Sequence, residues 1–340
     1  MHNRWHPDIE PAFTIRPGDE LTLDCEDGLN GQITGETTSE GIRGIDLGAA
    51  HPLTGPISVE GAEPGDLLEV ELLAFEPAGF GFTCIVPGFG FLTDLFPEPY
   101  LMKWDVGPEQ ATTAELPGVR IPPSIFPGVV GVSPSHELMA EMRRREDELR
   151  ARGGAVADDA AESAVPQSAA RGLRTIPPRE IGGNLDIRQL VAGSRLLLPV
   201  QVPGALLSLG DVHYAQGDGE CNGTALEIAA QVTIRVGVFK SPTFRPRFPV
   251  YETPPEAPRR RLATTGMPVT PEGRNESLDL TLAARGALID MIDYLSATHG
   301  FSRQAAYCLA SVAVDLRLSE VVDVPNPVVS ALLPLDIFES

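Results

Sequence analysis

Between Asp211 and Glu227 the chain concentrates groups that can hold a cation or move a proton. Asp211, His213, Asp218, Glu220 and Glu227 fall within seventeen residues, interleaved with Gly210, Gly217, Gly219 and Gly223. Imidazole nitrogen and carboxylate oxygen are the ligands that zinc and harder divalent ions take. Asp211 and His213 stand two apart, so on a strand they share one face, and Asp218 and Glu220 repeat that spacing. Glycines let the backbone turn through positive φ and approach a ligand closely. The competing reading is an acidic hairpin whose carboxylates accept backbone amides in Asx turns.

Other residues can join this cluster. In Gly182-Gly-Asn-Leu-Asp186, Asn184 and Asp186 reach the same point if the next strand leads to Asp211; the plain alternative is an Asx-stabilised turn. Arg179 and Glu180 form either a loop ion pair or a device that orients a substrate carbonyl. His51 precedes a proline in the loop Gly48–Pro56 and reads as a substrate contact or a surface histidine. The stretch Phe80–Leu92, rich in Phe and Gly, is either a core strand with a turn at Pro87-Gly88 or an aromatic wall, with Phe80, Phe82 and Phe89, over a small pocket. The four cysteines, Cys25, Cys84, Cys221 and Cys308, include no CxxC pair, which excludes a zinc ribbon. Cys84 and Cys308 read as small hydrophobes. Cys221 is the plausible thiol nucleophile, although Glu220 beside it would raise its pKa.

The elements that must carry these groups are mostly strands. Apolar runs flank the cluster at 195–209 and 224–238. Alternating segments meet at Pro-Gly turns, 12–15 with 21–25 and 57–60 with 67–73, and a third copy lies at 190–199. A helix is expected from Ser135, its cap, to Gly153, followed by an Ala-rich polar stretch, 155–170, that reads as a surface excursion and a candidate for mobility. Apolar residues at helical spacing predict a helix over 278–299, and Ser302 opens a second one through Val314. The fold class is therefore β-rich α+β, with β-sandwich or barrel units and C-terminal helices. Four stretches follow: an N-terminal β-rich part (1–134), the helix and Ala-rich insertion (135–175), a second β-unit with the site (176–250) and an α+β C-terminal part (251–340), intertwined as one catalytic domain.

A net charge of −21 argues against nucleic acid or anionic lipid as a partner. No apolar run is long enough to span a membrane, and the N-terminus has no secretory h-region. Reduced cysteines in a cytoplasmic protein are the expectation.

Taken together, several segments resemble the acetamidase/formamidase family. They are His51-Pro-Leu-Thr-Gly-Pro-Ile with Val59-Glu-Gly-Ala-Glu-Pro-Gly-Asp66, Val86-Pro-Gly-Phe-Gly, Pro127-Gly-Val-Val-Gly-Val, Arg174-Thr-Ile-Pro-Pro-Arg-Glu with Gly182-Gly-Asn-Leu-Asp186, Gly210-Asp-Val-His-Tyr-Ala-Gln-Gly-Asp-Gly-Glu220, and Ala306-Tyr with Asp315-Leu-Arg-Leu. The resemblance covers most of the length. It implies hydrolysis of a short carboxamide to the acid and ammonia, a β-sandwich core, a divalent metal and a homodimer. Joined to the cluster, it implies zinc on His213, Asp211 and Asp186, with Glu220 or Asp218 as proton acceptor and Asn184 at the oxyanion. His51, Glu180, Phe82 and Phe89 are the substrate contacts. Two other classes stay open: a binding protein without turnover, and a hydrolase using Cys221 or Cys84. A nitrilase-type Cys-Glu-Lys set is disfavoured, because Lys103 and Lys240 are the only lysines.

Overall fold

The protein is described by a computed structural model covering residues 1–340, except 91, 92, 95, 221, 255–259, 302, 304, 305, 307–313, 336, 337, 339 and 340. Cys221, Cys308 and most of the second C-terminal helix expected from Ser302 lie outside the described residues.

Strands dominate, as the alternating pattern predicts. The backbone of the fold is an antiparallel pair, Leu67–Ile85 with Leu226–Phe239, running from Leu67 opposite Phe239 to Phe82 opposite Glu227 with register shifts at 228–230 and 233–234. Along Leu226–Phe239, Ile228, Ala230, Val232, Ile234 and Val236 are buried, while Gln231, Thr233 and Arg235 lie further out. That period of two keeps an apolar face inward and fixes the register, since a one-residue slip would reverse it. The Pro-Gly turns join strands where expected: Phe13–Ile15 to Glu20–Cys25, and Leu53–Val59 to Leu67–Ile85. Strands from the N-terminal, middle and C-terminal stretches share one 15-stranded sheet, and Arg4–Trp5 pairs separately with Leu173–Arg174.

One strand, Leu207–Ala215, pairs with three others. Phe126–Gly131 lies along one edge. On the other edge Leu53–Val59 pairs with residues 207–210 and Leu226–Phe239 takes over from Val212. The change of partner falls at Asp211, where the sheet parts.

The first helix spans His136–Ala151, with Ser135 accepting the Leu138 amide at 3.1 Å as its cap. It buries Met142, Arg145 and Leu149. The Ala-rich stretch after it contains short 3-10 turns and is tied to the N-terminus: Asn3 donates to Ser163 O at 2.9 Å and accepts from Val165 N at 2.7 Å, and Arg4 donates to Ala160 O at 2.5 Å. The surface excursion expected here is thus held to the N-terminal segment by hydrogen bonds. The C-terminal helix, Leu280–His299, is capped by Asp279 and ended by Gly300 at φ 70°. It presses Ala283, Ala287, Met291 and Leu295 onto the strands Arg261–Gly266 and Val328–Pro334. Gly266 permits that approach, since a Cβ there would stand 2.1 Å from Ala283 O.

Candidate active site

The parting of the sheet at Asp211 opens a cavity of about 70 Å³. Its polar side carries His51, Asn184, Asp186, Asp211, Glu220, Glu227 and Asp323, and its apolar side Leu29, Leu47, Val86, Phe89 and Ile176. Two glycines make the room. Opposite Asp211 stands Gly128, where a Cβ would fall 2.5 Å from Asp186 Oδ1 and 2.9 Å from Asp211 Oδ2. At Gly28 a Cβ would fall 2.1 Å from Asp211 Oδ1. Three of the carboxylates sit on left-handed backbone, Asp186 at φ 46°, Asp211 at φ 56° and Glu220 at φ 41°. Such conformations cost non-glycine residues about 1–3 kcal/mol each and persist where the surrounding fold enforces them. Here they swing carboxylates toward one point.

His213 lies at the centre. Its Nε2 is 3.5 Å from Asp211 Oδ1 and 3.3 Å from Glu227 Oε2, and its Nδ1 is 3.8 Å from Asp186 Oδ1. Glu227 stands directly across the ladder from His213. His51 Nε2 is 3.8 Å from Asp211 Oδ2. A second group of acids packs behind: Asn184 donates to Asp323 Oδ2, and Glu320 Oε2 accepts the Val322 and Asp323 amides at 2.9 Å each.

Burial governs the charges. It pushes Glu220, Asp186, Asp323 and Glu320 well above the carboxylate range, and their mutual repulsion adds to it. Burial also lifts Glu227, to about 7, with Asp211 adding and His213 opposing. For Asp211 burial is outweighed by His51 and His213, which hold it below the usual range. His213 goes up despite burial, held by Glu227 and Asp211, whereas burial keeps His51 low. So many buried acids coexist only by sharing protons or by facing a cation.

The donor atoms meet the test for a metal. His213 Nε2, Asp186 Oδ1 and Oδ2, Glu227 Oε2, Asn184 Oδ1 and Glu320 Oε1 are buried with no hydrogen-bond partner. Such orphans are costly in a finished core. Among the described residues, Asp211, His213 and Glu227 each offer a ligand atom within 4.8 Å of the others, as do Asp186, His213 and Glu220. Nitrogen with carboxylate oxygen suits zinc or a similar divalent ion.

The structure therefore brings together Asp211, His213, Asp186, Glu220, Asn184, His51 and Phe89. It keeps Asp218, Glu180, Phe82 and Cys84 from the roles expected of them. Asp218 is exposed and bonded to Gln189 at 2.8 Å, with Arg317 at 3.4 Å. The two-residue spacing fails there because the chain has left the strand, and only Glu220 turns inward. Glu180 is clamped by Arg145 of the first helix at 2.5 and 2.9 Å, away from the cavity, and Arg179 instead meets Glu146 at 2.8 Å. Phe82 is buried with Ile33, Ile42 and Leu101 beneath the wall that Phe89 forms. Asn184 donates one amide hydrogen to Asp323, while its Oδ1 is left without a partner, so it also offers the cavity an acceptor. The Cys84 thiol is pushed up to about 12 by burial and by Glu227, which disarms it as a nucleophile.

Sequence reasoning counted Glu227 in the cluster without giving it a specific role, and it missed Asp323, Glu320, Gly28 and Gly128. Glu227 was detectable as the cross-strand partner of His213 if the two flanking runs form a hairpin. Asp323 and Glu320 come from more than a hundred residues away and leave no local signal.

Known proteins resemble this chain over its whole length. The profile of the acetamidase/formamidase family matches residues 1–340. A formamidase of Methylophilus methylotrophus is 37% identical over 366 residues, covering 100% of this chain and 89% of that protein. An acetamidase of Mycolicibacterium smegmatis is 37% identical over 349 residues, covering 91% of this chain and 84% of that protein. Among solved structures, a γ-lactamase from Delftia acidovorans superposes with TM-score 0.73 at 36% identity, over 100% of this chain and 89% of the other. An acetamidase from Bacillus halodurans superposes with TM-score 0.78 at 27% identity, over 99% and 95%. A full-length profile match and relatives of this similarity place the chain in the acetamidase/formamidase family.

Proposed function

We propose that the protein hydrolyses short linear carboxamides to the acid and ammonia, using water activated at a divalent metal. The observation that carries this reading is the small cavity in which orphaned donor atoms face an apolar wall. A cavity of about 70 Å³ has room for a small amide such as formamide or acetamide. His213 Nε2, Asp211 and Glu227 would hold the metal, zinc being the first choice, with Asp186 beside them. Glu227 joins His213 and Asp211 because its Oε2 lies nearer Nε2 than any Asp186 oxygen lies to His213. Such an ion supplies Lewis acidity that polarises the amide and acidifies water.

The rest of the work falls to the chain. The wall of Leu29, Leu47, Val86, Phe89 and Ile176 holds the acyl end and excludes bulk water. Asn184 Oδ1, an acceptor without a partner, orients the substrate NH₂ group. His51, kept neutral by burial, lines the same cavity and contacts the amide. Glu220, whose proton affinity is raised by burial, takes the proton of the attacking water and returns it to the departing nitrogen. Water and amide thus leave as acid and ammonia with no net proton change at Glu220.

Two buried free cysteines, Cys25 and Cys84, support a reducing, cytoplasmic setting. Among the described residues no helix is long and apolar enough to cross a membrane. A homodimer is proposed on the family resemblance.

The test is ammonia release from formamide and acetamide before and after chelation. Release that chelation abolishes and zinc restores is expected. Release indifferent to chelation would overturn the metal role, and no release from either amide would overturn the substrate.

A further inference from the structure

Gln216 joins two parts of the site. Its amide nitrogen lies 2.8 Å from Asp186 O, and its Oε1 lies 2.8 Å from His213 Nδ1. A backbone carbonyl can only accept, so the Gln216 NH₂ group must face Asp186. Its amide oxygen then faces His213, and because that oxygen also only accepts, Nδ1 must carry a proton. Nε2 is left as the nitrogen aimed at Asp211 Oδ1 and Glu227 Oε2, with no hydrogen-bond partner. Phe126 stands edge-on to the ring, centroids 5.2 Å apart at 83°, and stiffens it.

We propose that Gln216 is a positioning residue: anchored on the Asp186 carbonyl, it fixes the orientation and Nδ1–H tautomer of His213 so that Nε2 is presented to a divalent cation between Asp211 and Glu227. A ligating histidine is commonly held this way through its other nitrogen. The same contact ties the Asp186 backbone, in its left-handed turn, to the His213 ring, so one side chain sets two walls of the site. In the metal-free protein Nε2 can bind a proton and pair with its carboxylates, and Nδ1 keeps its proton in either state.

This inference rests on the metal reading for its first measurement and on the bare protein for its second. Zinc affinity is measured by competition with a chromophoric chelator for the wild type, Gln216→Leu and Gln216→Glu. Gln216→Leu is expected to bind zinc about 10–100-fold more weakly. Gln216→Glu restores an oxygen for Nδ1–H but cannot donate to Asp186 O, and is expected to bind nearer to the wild type than to Gln216→Leu. Equal zinc affinity in Gln216→Leu and the wild type would overturn the proposal. So would a Gln216→Glu variant as weak as Gln216→Leu, since Gln216 would then act through Asp186 alone. The second measurement is the ¹⁵N spectrum of histidine-labelled, chelated protein. A slowly exchanging Nδ1–H signal should be present in the wild type and lost or shifted in Gln216→Leu; an unchanged signal overturns the proposal. If the wild type itself binds no zinc, the metal reading falls and this spectrum alone decides. Thermal melts check folding, and Gln216→Met replaces the Leu variant if that one does not fold.

Discussion

Among the described residues, two of the buried charged clusters are built on opposite plans. Beneath the first helix, Arg145 clamps Glu180 with two hydrogen bonds and Arg179 meets Glu146. Each acid there has a guanidinium. Around the cavity, Glu220, Asp186, Glu227 and Asp323 crowd, with Glu320 on the Asp323 amide and no Arg or Lys among the described lining residues. The consequence is visible in proton affinity. Burial would raise Glu180, but Arg145 outweighs it and holds the carboxyl low, whereas burial raises the cavity acids unopposed by a fixed cation. A balanced buried pair is architecture. An unbalanced one, with orphaned atoms and left-handed backbone, stores strain that a ligand can relieve.

The largest expected effect tests the cavity side. Glu220→Gln should lower kcat on acetamide by about 10²–10⁴-fold, with zinc content retained and the thermal midpoint unchanged or higher, because one repelling acid is gone. Retained turnover would remove Glu220 from the proton path. Next is the balanced side. Glu180→Gln strands Arg145 in the interior and should cost roughly 3–5 kcal/mol in urea unfolding, with kcat per folded molecule unchanged. Replacing both partners with apolar residues should cost much less, and a double variant as unstable as the single one would contradict this account.

The clusters should also differ in pH dependence. Glu180 has a lowered folded pKa, so its stabilisation is present above its unfolded value, about 4.3, and is lost as pH falls through the folded value. Glu227 has a raised one, so proton binding stabilises fully below about 4.3 and the benefit is lost as pH rises through about 7. Chelated protein should therefore melt at a lower temperature at pH 8 than at pH 5.5. Glu227→Gln should lessen that slope, the other raised acids keeping the rest, while Glu180→Gln leaves it; a flat wild-type profile would contradict the assignment. The smallest effect belongs to Asp218→Asn. An exposed carboxylate near Arg317 contributes little, so stability should stay within about 0.5 kcal/mol and turnover should be unchanged.

The resemblance to the acetamidase/formamidase family, readable from segments such as Pro127-Gly-Val-Val-Gly-Val and Gly210-Asp-Val-His-Tyr-Ala-Gln-Gly-Asp-Gly-Glu220, carries through to the whole chain. The turn Arg16-Pro-Gly-Asp-Glu20 was legible because apolar alternation on both sides leaves only a reversal between them. The first helix was legible from its Ser135 cap, and Asp211 with His213 from their spacing on a strand flanked by apolar runs. Asp218 was misplaced because the same spacing was read past the strand's end, where φ 41° at Glu220 sends one side chain inward and leaves the other outside. Glu180 looked like a loop group because its partner, Arg145, is 35 residues away on a helix.

Local chemistry in the sequence determined which segments are strands, where they turn, and that the chain carries acids and an imidazole in number enough for a metal or proton site. Periodicity and turn residues are local, so they survive reading one residue at a time. Only the tertiary structure decided which acids meet. Glu227 comes across a ladder, Asp323 and Glu320 from the far end of the chain, and Gly28 and Gly128 matter for the side chains they lack. Those contacts depend on register, on the partner change at Asp211 and on three backbone turns into the left-handed region, and none of these is a property of neighbouring residues.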